Sequence, residues 1–354
     1  MDLAALCSNV ESLRRRLPAA TRFIAVIKAD GYGHGARPVA RAALSAGAWG
    51  LAVVTLEEAA EVRDLLSVER ILVLGPLLAE DAREAVQGGY ALGCSSLAVA
   101  RALDAAAGAR RVPIHLKLDT GMGRYGARLG DFTEIARFIA SARGLELAGT
   151  WSHLATSDSD ADFAQEQYQR FSEATEGMPG IRHLANSGAV RWHPEMALDA
   201  VRVGIGMYGC EDPALAPVLK LRARVAQVKV VATGGSVGYG RTWTASEPTR
   251  IATVSIGYAD GVFRARSNRG DVIVRGHRLP LVGQVSMDSL TLDASAVPDI
   301  EVGDPATLIG ADGGERIRAE EVAAWSGTVS YEVLTAIGHR VERIYRGGKG
   351  QASL

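Results

Sequence analysis

Short apolar runs alternate with amphipathic, alanine-rich stretches along the first 215 residues. The apolar runs are often β-branched, which favours strands, whereas the stretches between them have the periodicity of helices. Strands are predicted at residues 22–27, 48–54, 70–74, 90–94, 112–118, 145–153, 182–186 and 198–203. Helices are predicted between them at 36–46, 56–66, 79–87, 96–107, 131–142 and 162–174, and Thr55 with Glu58 forms a capping box for the second. This alternation predicts an α/β fold, a parallel (β/α)8 TIM-like barrel over residues 1–215.

The pattern changes beyond residue 215. Apolar and polar residues alternate over residues 221–232, which is typical of a strand with one buried face. Further strands are predicted at 250–257, 271–275, 278–286, 289–293 and 305–309, separated by glycine, proline and aspartate. Residues 216–354 are therefore predicted to form a second, C-terminal domain of mainly antiparallel β structure, with the boundary near residues 213–217.

Composition narrows the class of protein. The chain has 354 residues, a hydrophobic content of 47% and a formal net charge of −1, so no overall field favours nucleic acid or an anionic membrane. No apolar run is long enough to span a bilayer, and the first twenty residues lack the apolar core of a signal peptide. Three widely spaced cysteines favour reduced thiols over disulfides or a zinc site. We therefore expect a cytoplasmic protein without nucleic-acid or membrane partners.

Lys28 is the most informative single residue. It ends the apolar run of the first predicted strand and is followed at once by a glycine-rich turn. Burial would lower the pKa of its amine and make it nucleophilic, as a Schiff-base lysine requires. Alternatively, the side chain reaches water beside a flexible turn. The residues alone leave both interpretations open.

Other polar residues fall at the same end of the predicted barrel, where barrel enzymes place their active sites. They are Lys117 and Arg124 after strand five, His153 after strand six, Asn186 and Ser187 after strand seven, and Arg202, Gly204 and Ile205 at strand eight. Each could belong to a structural turn, but so many at equivalent strand ends indicate a shared ligand. The Ser187 hydroxyl and the amides of Gly204 and Ile205 would suit a phosphate.

Each of these candidates also has a structural alternative. Arg202 could pair with Asp199, and Lys117 with Arg124 could pair with Asp119 or Asp131. A tyrosine in a strand-like segment, such as Tyr258, is usually a core residue.

The chain resembles a known family through several motifs. Residues 28–35, Lys-Ala-Asp-Gly-Tyr-Gly-His-Gly, resemble the pyridoxal-phosphate lysine motif of bacterial alanine racemases. Residues 256–261 are similar to the segment that carries that family's second base, and residues 283–288 to its Gly-x-x-x-Met-Asp run. The resemblance covers nearly the whole chain. It implies a cytoplasmic homodimer that interconverts L- and D-alanine with pyridoxal 5'-phosphate, supplying D-alanine for peptidoglycan, with active sites shared between subunits.

The resemblance also implies roles for residues. Lys28 would hold the cofactor and serve one face of the substrate, and Tyr258 would be the base on the other face. Arg202 would face the pyridine nitrogen, Arg124 and Met287 would bind the substrate carboxylate, and Lys117 would be carbamylated. The candidate cofactor-binding residues are Lys28, Tyr32, His153, Asn186, Ser187, Arg202, Gly204 and Ile205. One departure is His339, which stands where many members have a tyrosine that contacts the phosphate.

Three other functions share parts of this pattern. A racemase of serine or of broad specificity would have the same motifs. A decarboxylase of the same plan would carry a cysteine–aspartate motif, which does not appear at residues 286–288. A non-catalytic pyridoxal-phosphate-binding protein would generally lack the second domain.

Overall fold

The computed structural model of the protein describes residues 1–347. The chain forms two compact units. One comprises Leu6–Leu215, and the other comprises Met1–Ala5 together with residues 216–347. Among the described residues, no helix is both long enough and apolar enough to cross a membrane.

The first unit contains a closed barrel of eight parallel strands that neighbour one another in sequence order. They are β1 (Arg22–Val26), β2 (Gly50–Val53), β3 (Ile71–Val73), β4 (Ala91–Cys94), β5 (Val112–Lys117), β6 (Leu145–Trp151), β7 (Ile181–His183) and β8 (Ala200–Val203). β8 pairs with β1, with Arg22 opposite Ala200 and Ala25 opposite Val203, and this pairing closes the ring. The predicted (β/α)8 barrel is confirmed.

Helices alternate with these strands. They are α1 (Leu3–Arg14), α2 (Lys28–Tyr32), α3 (Ala36–Ser45), α4 (Leu56–Val62), α5 (Ala82–Gly88), α6 (Leu97–Ala107), α7 (Leu129–Ser141), α8 (Ala161–Ala174) and α9 (Ser187–Trp192). The predicted capping box is present: the Thr55 hydroxyl accepts from the Glu58 amide at 3.2 Å, and the Glu58 carboxylate accepts from the Thr55 amide at 3.3 Å. This cap fixes where α4 begins.

The barrel strands are apolar because both faces of a parallel sheet are covered. All four residues of β2 are buried, as are all four of β8. β8 nevertheless contains Arg202, and β5 contains His115 and Lys117, all buried. Charged or titratable groups in such strands need partners, and these residues lead to the site described below.

The second unit is mainly an antiparallel sheet, as predicted. Its strands are β9 (Leu221–Val231), β10 (Ser236–Val237), β11 (Trp243–Thr244), β12 (Thr249–Val254), β13 (Asp271–Val274), β14 (His277–Pro280), β15 (Leu290–Asp293), β16 (Pro305–Asp312) and β17 (Glu315–Ile317). The main sheet runs in the order β14-β13-β16-β9-β12-β15, and β17 pairs with β16. Helices α10 (Ala319–Ser326) and α11 (Ser330–Thr335) follow.

Candidate active site

Lys28 opens a left-handed turn two residues beyond the end of β1. Ala29, Asp30 and Tyr32 have φ values of 52°, 51° and 54°. Such angles cost an L-residue about 1–2 kcal/mol each, so the surroundings must hold the turn in place. The Glu58 carboxylate accepts from the Ala29 amide at 2.7 Å, and the Asp30 carboxylate accepts from the Ala36 amide at 2.7 Å.

The turn places Lys28 in an environment that disfavours its charge. Burial lowers the pKa of its amine, and the nearby Arg124 lowers it further, whereas Glu58 opposes the shift. A lysine with a lowered pKa has more of the neutral, nucleophilic amine.

Ser187 and Gly204 form a cradle where β7 and β8 end. The Ser187 hydroxyl accepts from the amides of Gly204 at 3.1 Å and Gly206 at 3.3 Å. A Cβ at Gly204 would lie 2.4 Å from the Tyr32 hydroxyl oxygen, so only glycine fits beside that hydroxyl. Ile205 opens a 3-10 turn and places its amide at the turn's first position, where it lacks a partner within the turn.

Asn186 has a structural role that the sequence did not indicate. β7 ends at His183 rather than at residue 186, and the Asn186 side chain accepts from the Ala189 amide at 3.0 Å as the N-cap of α9. This cap orients the first turn of α9, where Ser187 lies.

Arg202 is buried and is held by five acceptors. Its guanidinium donates to the His183 Nδ1 at 2.7 Å and carbonyl at 2.9 Å, and to the Ser152 carbonyl at 2.7 Å. It also contacts the Leu184 carbonyl at 3.2 Å and the His153 Nδ1 at 3.3 Å. Burial lowers its pKa to about 9, which leaves it protonated at neutral pH.

The alternative partner for Arg202, Asp199, is wrong. The Asp199 carboxylate instead accepts from the Arg182 amide at 2.8 Å. Among the described residues no carboxylate pairs with Arg202, so its fixed guanidinium is well suited to donate to a neutral ligand atom or an anion.

Two buried histidines extend the network behind Arg202. The His183 Nε2 lies 2.8 Å from the His115 Nδ1. Because Arg202 can only donate, His183 must accept at Nδ1 and donate from Nε2, which makes His115 Nδ1 an acceptor. Burial, then Arg202, lowers the pKa of His115 to about 3 and that of His183 well below the usual value. A Cβ at Gly149 would lie 2.7 Å from the His115 Nδ1, so this glycine makes room for the ring.

Lys117, at the end of β5, packs against aromatic rings. Its Nζ lies 4.1 Å from the Trp151 ring centroid and 5.5 Å from that of Tyr125. Burial lowers its pKa to about 7, with further lowering by Arg202 and Arg124. Within residues 1–347 it forms no ion pair, so the alternative of a pair with Asp119 or Asp131 is wrong.

Arg124 lies exposed on the loop that follows β5. The Asp119 carboxylate shapes this loop by accepting from the amides of Gly121 at 2.9 Å and Gly123 at 3.0 Å. Asp119 is therefore occupied by the backbone and does not pair with Arg124.

Four basic side chains act on His153, which lies two residues beyond β6. Its pKa is held well below the usual value by burial and then by Arg202, Lys117, Arg124 and Lys28. The structure thus brings together the barrel residues that the sequence predicted at separate strand ends. Such a concentration of positive charge at one mouth favours a ligand with anionic groups.

Tyr258 and Met287 lie in the second unit. Tyr258 opens a 3-10 turn, Tyr258–Asp260, and its side chain is 43% exposed, so the alternative of a core tyrosine is wrong. Met287 is 52% exposed. Their segments are joined by backbone hydrogen bonds from the Tyr258 amide to the Ser286 carbonyl and from the Ala259 amide to the Met287 carbonyl, both 3.0 Å. His339 is also exposed.

This arrangement defines a class of protein. A barrel that presents a lysine of lowered pKa, a serine–glycine cradle for an anion and a buried arginine is typical of barrel enzymes that use pyridoxal phosphate. The cradle that excludes a Cβ at Gly204 fits the phosphate of this group, and Arg202, which pairs with no carboxylate within residues 1–347, fits its ring nitrogen.

Comparison with known proteins identifies the family. Residues 1–212 match the family model "Alanine racemase, N-terminal domain", and residues 218–345 match "Alanine racemase, C-terminal domain". An alanine racemase from Desulfosudis oleivorans is 41% identical over 99% of this chain and 97% of its own length. The solved structure of alanine racemase from Streptomyces coelicolor is 36% identical, with a TM-score of 0.92 over 98% of this chain and 96% of its own.

The structure of a third relative contains the cofactor. The alanine racemase structure from Bartonella henselae, which has covalently bound pyridoxal phosphate, is 30% identical, with a TM-score of 0.89 over 98% of both chains. The chain belongs to the alanine racemase family. It is a pyridoxal-phosphate-dependent isomerase that interconverts L- and D-alanine.

Proposed function

We propose that Lys28 and Tyr258 are the two bases of the racemisation, one on each face of the substrate. The main support is that Lys28 begins a strained turn, where burial and the nearby Arg124 lower the pKa of its amine. A lowered pKa increases the share of neutral amine, which can take up a proton and return it. Tyr258 is exposed and can therefore approach the opposite face.

Pyridoxal phosphate, when bound, supplies an electron sink that acidifies the α-hydrogen of the amino acid. The residues then move the proton. For L-alanine, the Tyr258 oxygen would take the α-proton, the Cα–H electron pair would stay with the substrate, and Lys28 in its ammonium form would deliver a proton to the other face and become the neutral amine. For D-alanine the two residues exchange roles. His153 accepts from Arg202 at Nδ1 and so carries its proton on Nε2, from which it would donate to the Tyr258 oxygen in the proposed site.

The remaining residues would hold the two reactants. Ser187, Gly204, Ile205 and Tyr32 would bind the cofactor phosphate. Arg202 would donate to the ring nitrogen without readily giving up a proton, which limits the electron sink and favours reprotonation over side reactions. In the same proposal Arg124 and Met287 bind the substrate carboxylate. Asn186 supports the phosphate site through the cap of α9.

Lys117 would act as a carbamate beside Arg124. Its pKa of about 7 provides the neutral amine that carbamylation requires. The carbamate would replace repulsion between two cations with attraction, and it would fix the guanidinium for the substrate.

We further propose a cytoplasmic homodimer that supplies D-alanine for peptidoglycan. Each active site would combine the barrel of one subunit with Tyr258 and Met287 of the partner subunit. This proposal rests on the family resemblance and on the exposure of both side chains. A two-fold arrangement would create two equivalent sites.

Mixing two inactive variants tests both the bases and the sharing. Lys28→Ala and Tyr258→Ala proteins should each be inactive, and they should regain activity when their subunits exchange. With random reassortment half the dimers are mixed and each holds one intact site, so roughly a quarter of wild-type activity should return. Tyr239→Ala, which removes another exposed tyrosine of the same unit, is the matched control and should keep its activity. Subunit exchange seen by mass spectrometry without recovered activity would contradict a shared site.

A further inference from the structure

Three chain segments meet beside Tyr258. They are the turn Tyr258–Asp260, residues 286–288, and residues 336–340 after α11. The Gly338 amide donates to the Asp260 carbonyl at 3.1 Å, and a Cβ at Gly338 would lie 2.7 Å from the Ala259 carbonyl oxygen. A Cβ at Gly257 would lie 2.3 Å from the Ser286 carbonyl oxygen. The segments therefore pack backbone against backbone, and small shifts in one would displace the others.

One guanidinium links the side chains of all three segments. The Arg340 Nε donates to the Asp260 carboxylate at 2.6 Å, and its Nη2 donates to the Asp288 carboxylate at 2.6 Å. The same Nη2 lies 3.3 Å from the second Asp260 oxygen. That oxygen also accepts from the Gly257 amide at 2.8 Å and so closes the turn that begins at Tyr258.

We propose that Arg340 is a positioning residue for the racemisation, because it holds the Tyr258 turn and the Met287 segment in register. This inference rests on the proposed roles of Tyr258 and Met287. Asp260 is the last residue of the turn that begins at Tyr258, and Asp288 directly follows Met287. The planar fork of an arginine can hold two carboxylates at a fixed separation.

Loss of Arg340 would remove the cation that bridges the two carboxylates and leave their mutual repulsion uncompensated. The Asp260 side chain is 12% exposed, so it would remain poorly solvated beside the negative charge of Asp288. Their repulsion would open the contact between the two segments. A lysine at position 340 would keep the charge, but as a single ammonium it could not reproduce the fork.

Amide exchange gives a readout that is independent of catalysis. In Arg340→Met protein, the amides of Tyr258 and Ala259 should exchange at least about tenfold faster, because their bonds to the 286–287 segment open more often. Arg340→Lys should give an intermediate rate. Arg316→Met, which removes an exposed arginine of β17, is the matched control and should leave both amides at the wild-type rate. Unchanged exchange in a folded Arg340→Met protein would overturn the inference.

Single-turnover α-proton exchange tests the effect on the reaction. A displaced Tyr258 should slow exchange from L-alanine by about tenfold or more, and exchange from D-alanine by at most about threefold, since Lys28 lies in the barrel unit. Arg340→Lys should recover part of the loss. Equal loss for both enantiomers would indicate general destabilisation and overturn the positioning role. The Tyr258→Phe variant separates the two proposals. If Tyr258→Phe also slows exchange equally for both enantiomers, the proposed role of Tyr258 fails. If Tyr258→Phe slows exchange mainly from L-alanine but the Arg340 variant does not, only the role of Arg340 is refuted.

Discussion

The reactivity of Lys117 towards carbon dioxide follows from its surroundings. With its pKa at about 7, roughly nine tenths of its amine is neutral at pH 8, against roughly 0.3% for a lysine of ordinary pKa. This difference of roughly 300-fold in the reactive form should make Lys117 the preferred site of carbamylation. In the reaction the amine nitrogen bonds to the carbon of carbon dioxide and one proton is released. The anionic product would be stabilised by Arg124 and Arg202, which are two of the cations that lower the pKa of the free amine.

Carbon-13 NMR of protein equilibrated with labelled bicarbonate measures this directly. Since the chain has five lysines, the carbamate signal can be assigned by substitution. We expect a signal at pH 8 that is absent from Lys117→Gln protein and unchanged in Lys229→Gln protein, whose lysine is exposed on β9. The signal should fade as the pH falls below about 7, because protonation removes the nucleophile and drives carbon dioxide off. No signal at pH 8, or the same signal without Lys117, would refute the reasoning.

Three further outcomes follow from the barrel residues. Borohydride should fix the cofactor on Lys28 alone, as read by peptide mapping, and a label on another lysine would contradict its assignment. Gly204→Ala should weaken cofactor binding at least about tenfold in an absorbance titration, because the new Cβ would meet the Tyr32 hydroxyl at 2.4 Å. Arg202→Lys should lower both the racemisation rate and the melting temperature of the cofactor-free protein, since a lysine cannot serve five acceptors; unchanged values would contradict its assigned contacts.

Much of the fold was predictable because hydrophobic periodicity responds directly to burial. The strand run at 112–118 and the helix at 96–107 agree closely with β5 and α6, which are covered in the way their patterns require. The predicted strand at 182–186 extends too far, because the observed strand ends at His183 and the buried residues Leu184 and Ala185 lie in the loop that follows. Burial alone does not distinguish a strand from a buried loop. In the second domain α10, α11, β10, β11 and β17 were not predicted.

The sequence predicted which residues lie at the candidate site, but it did not predict their hydrogen-bond partners. Strand ends identified Lys28, Lys117 and Arg202, because the barrel fixes where those ends meet. The partners were not predictable, since an arginine in a strand is expected to pair with a carboxylate, and Arg202 uses carbonyls and histidines instead. The sequence did carry one unused signal. His115 and His183 are titratable residues inside apolar strands, where a polar side chain requires a buried partner.

The one-way hydrogen-bond chain from Arg202 through His183 to His115 has a consequence for pH–rate profiles. Histidine is the usual assignment for a kinetic titration between pH 6 and 8. Here the pKa values of His115, His153 and His183 are all lowered far enough that these rings stay neutral across that interval. The three histidines that contact Arg202 or extend its network therefore do not change charge near neutral pH. If the rate titrates between pH 6 and 8 because of a group in this network, that group should be a lysine amine. Replacing one of the histidines should then change the rate itself but not the apparent pKa of the titration.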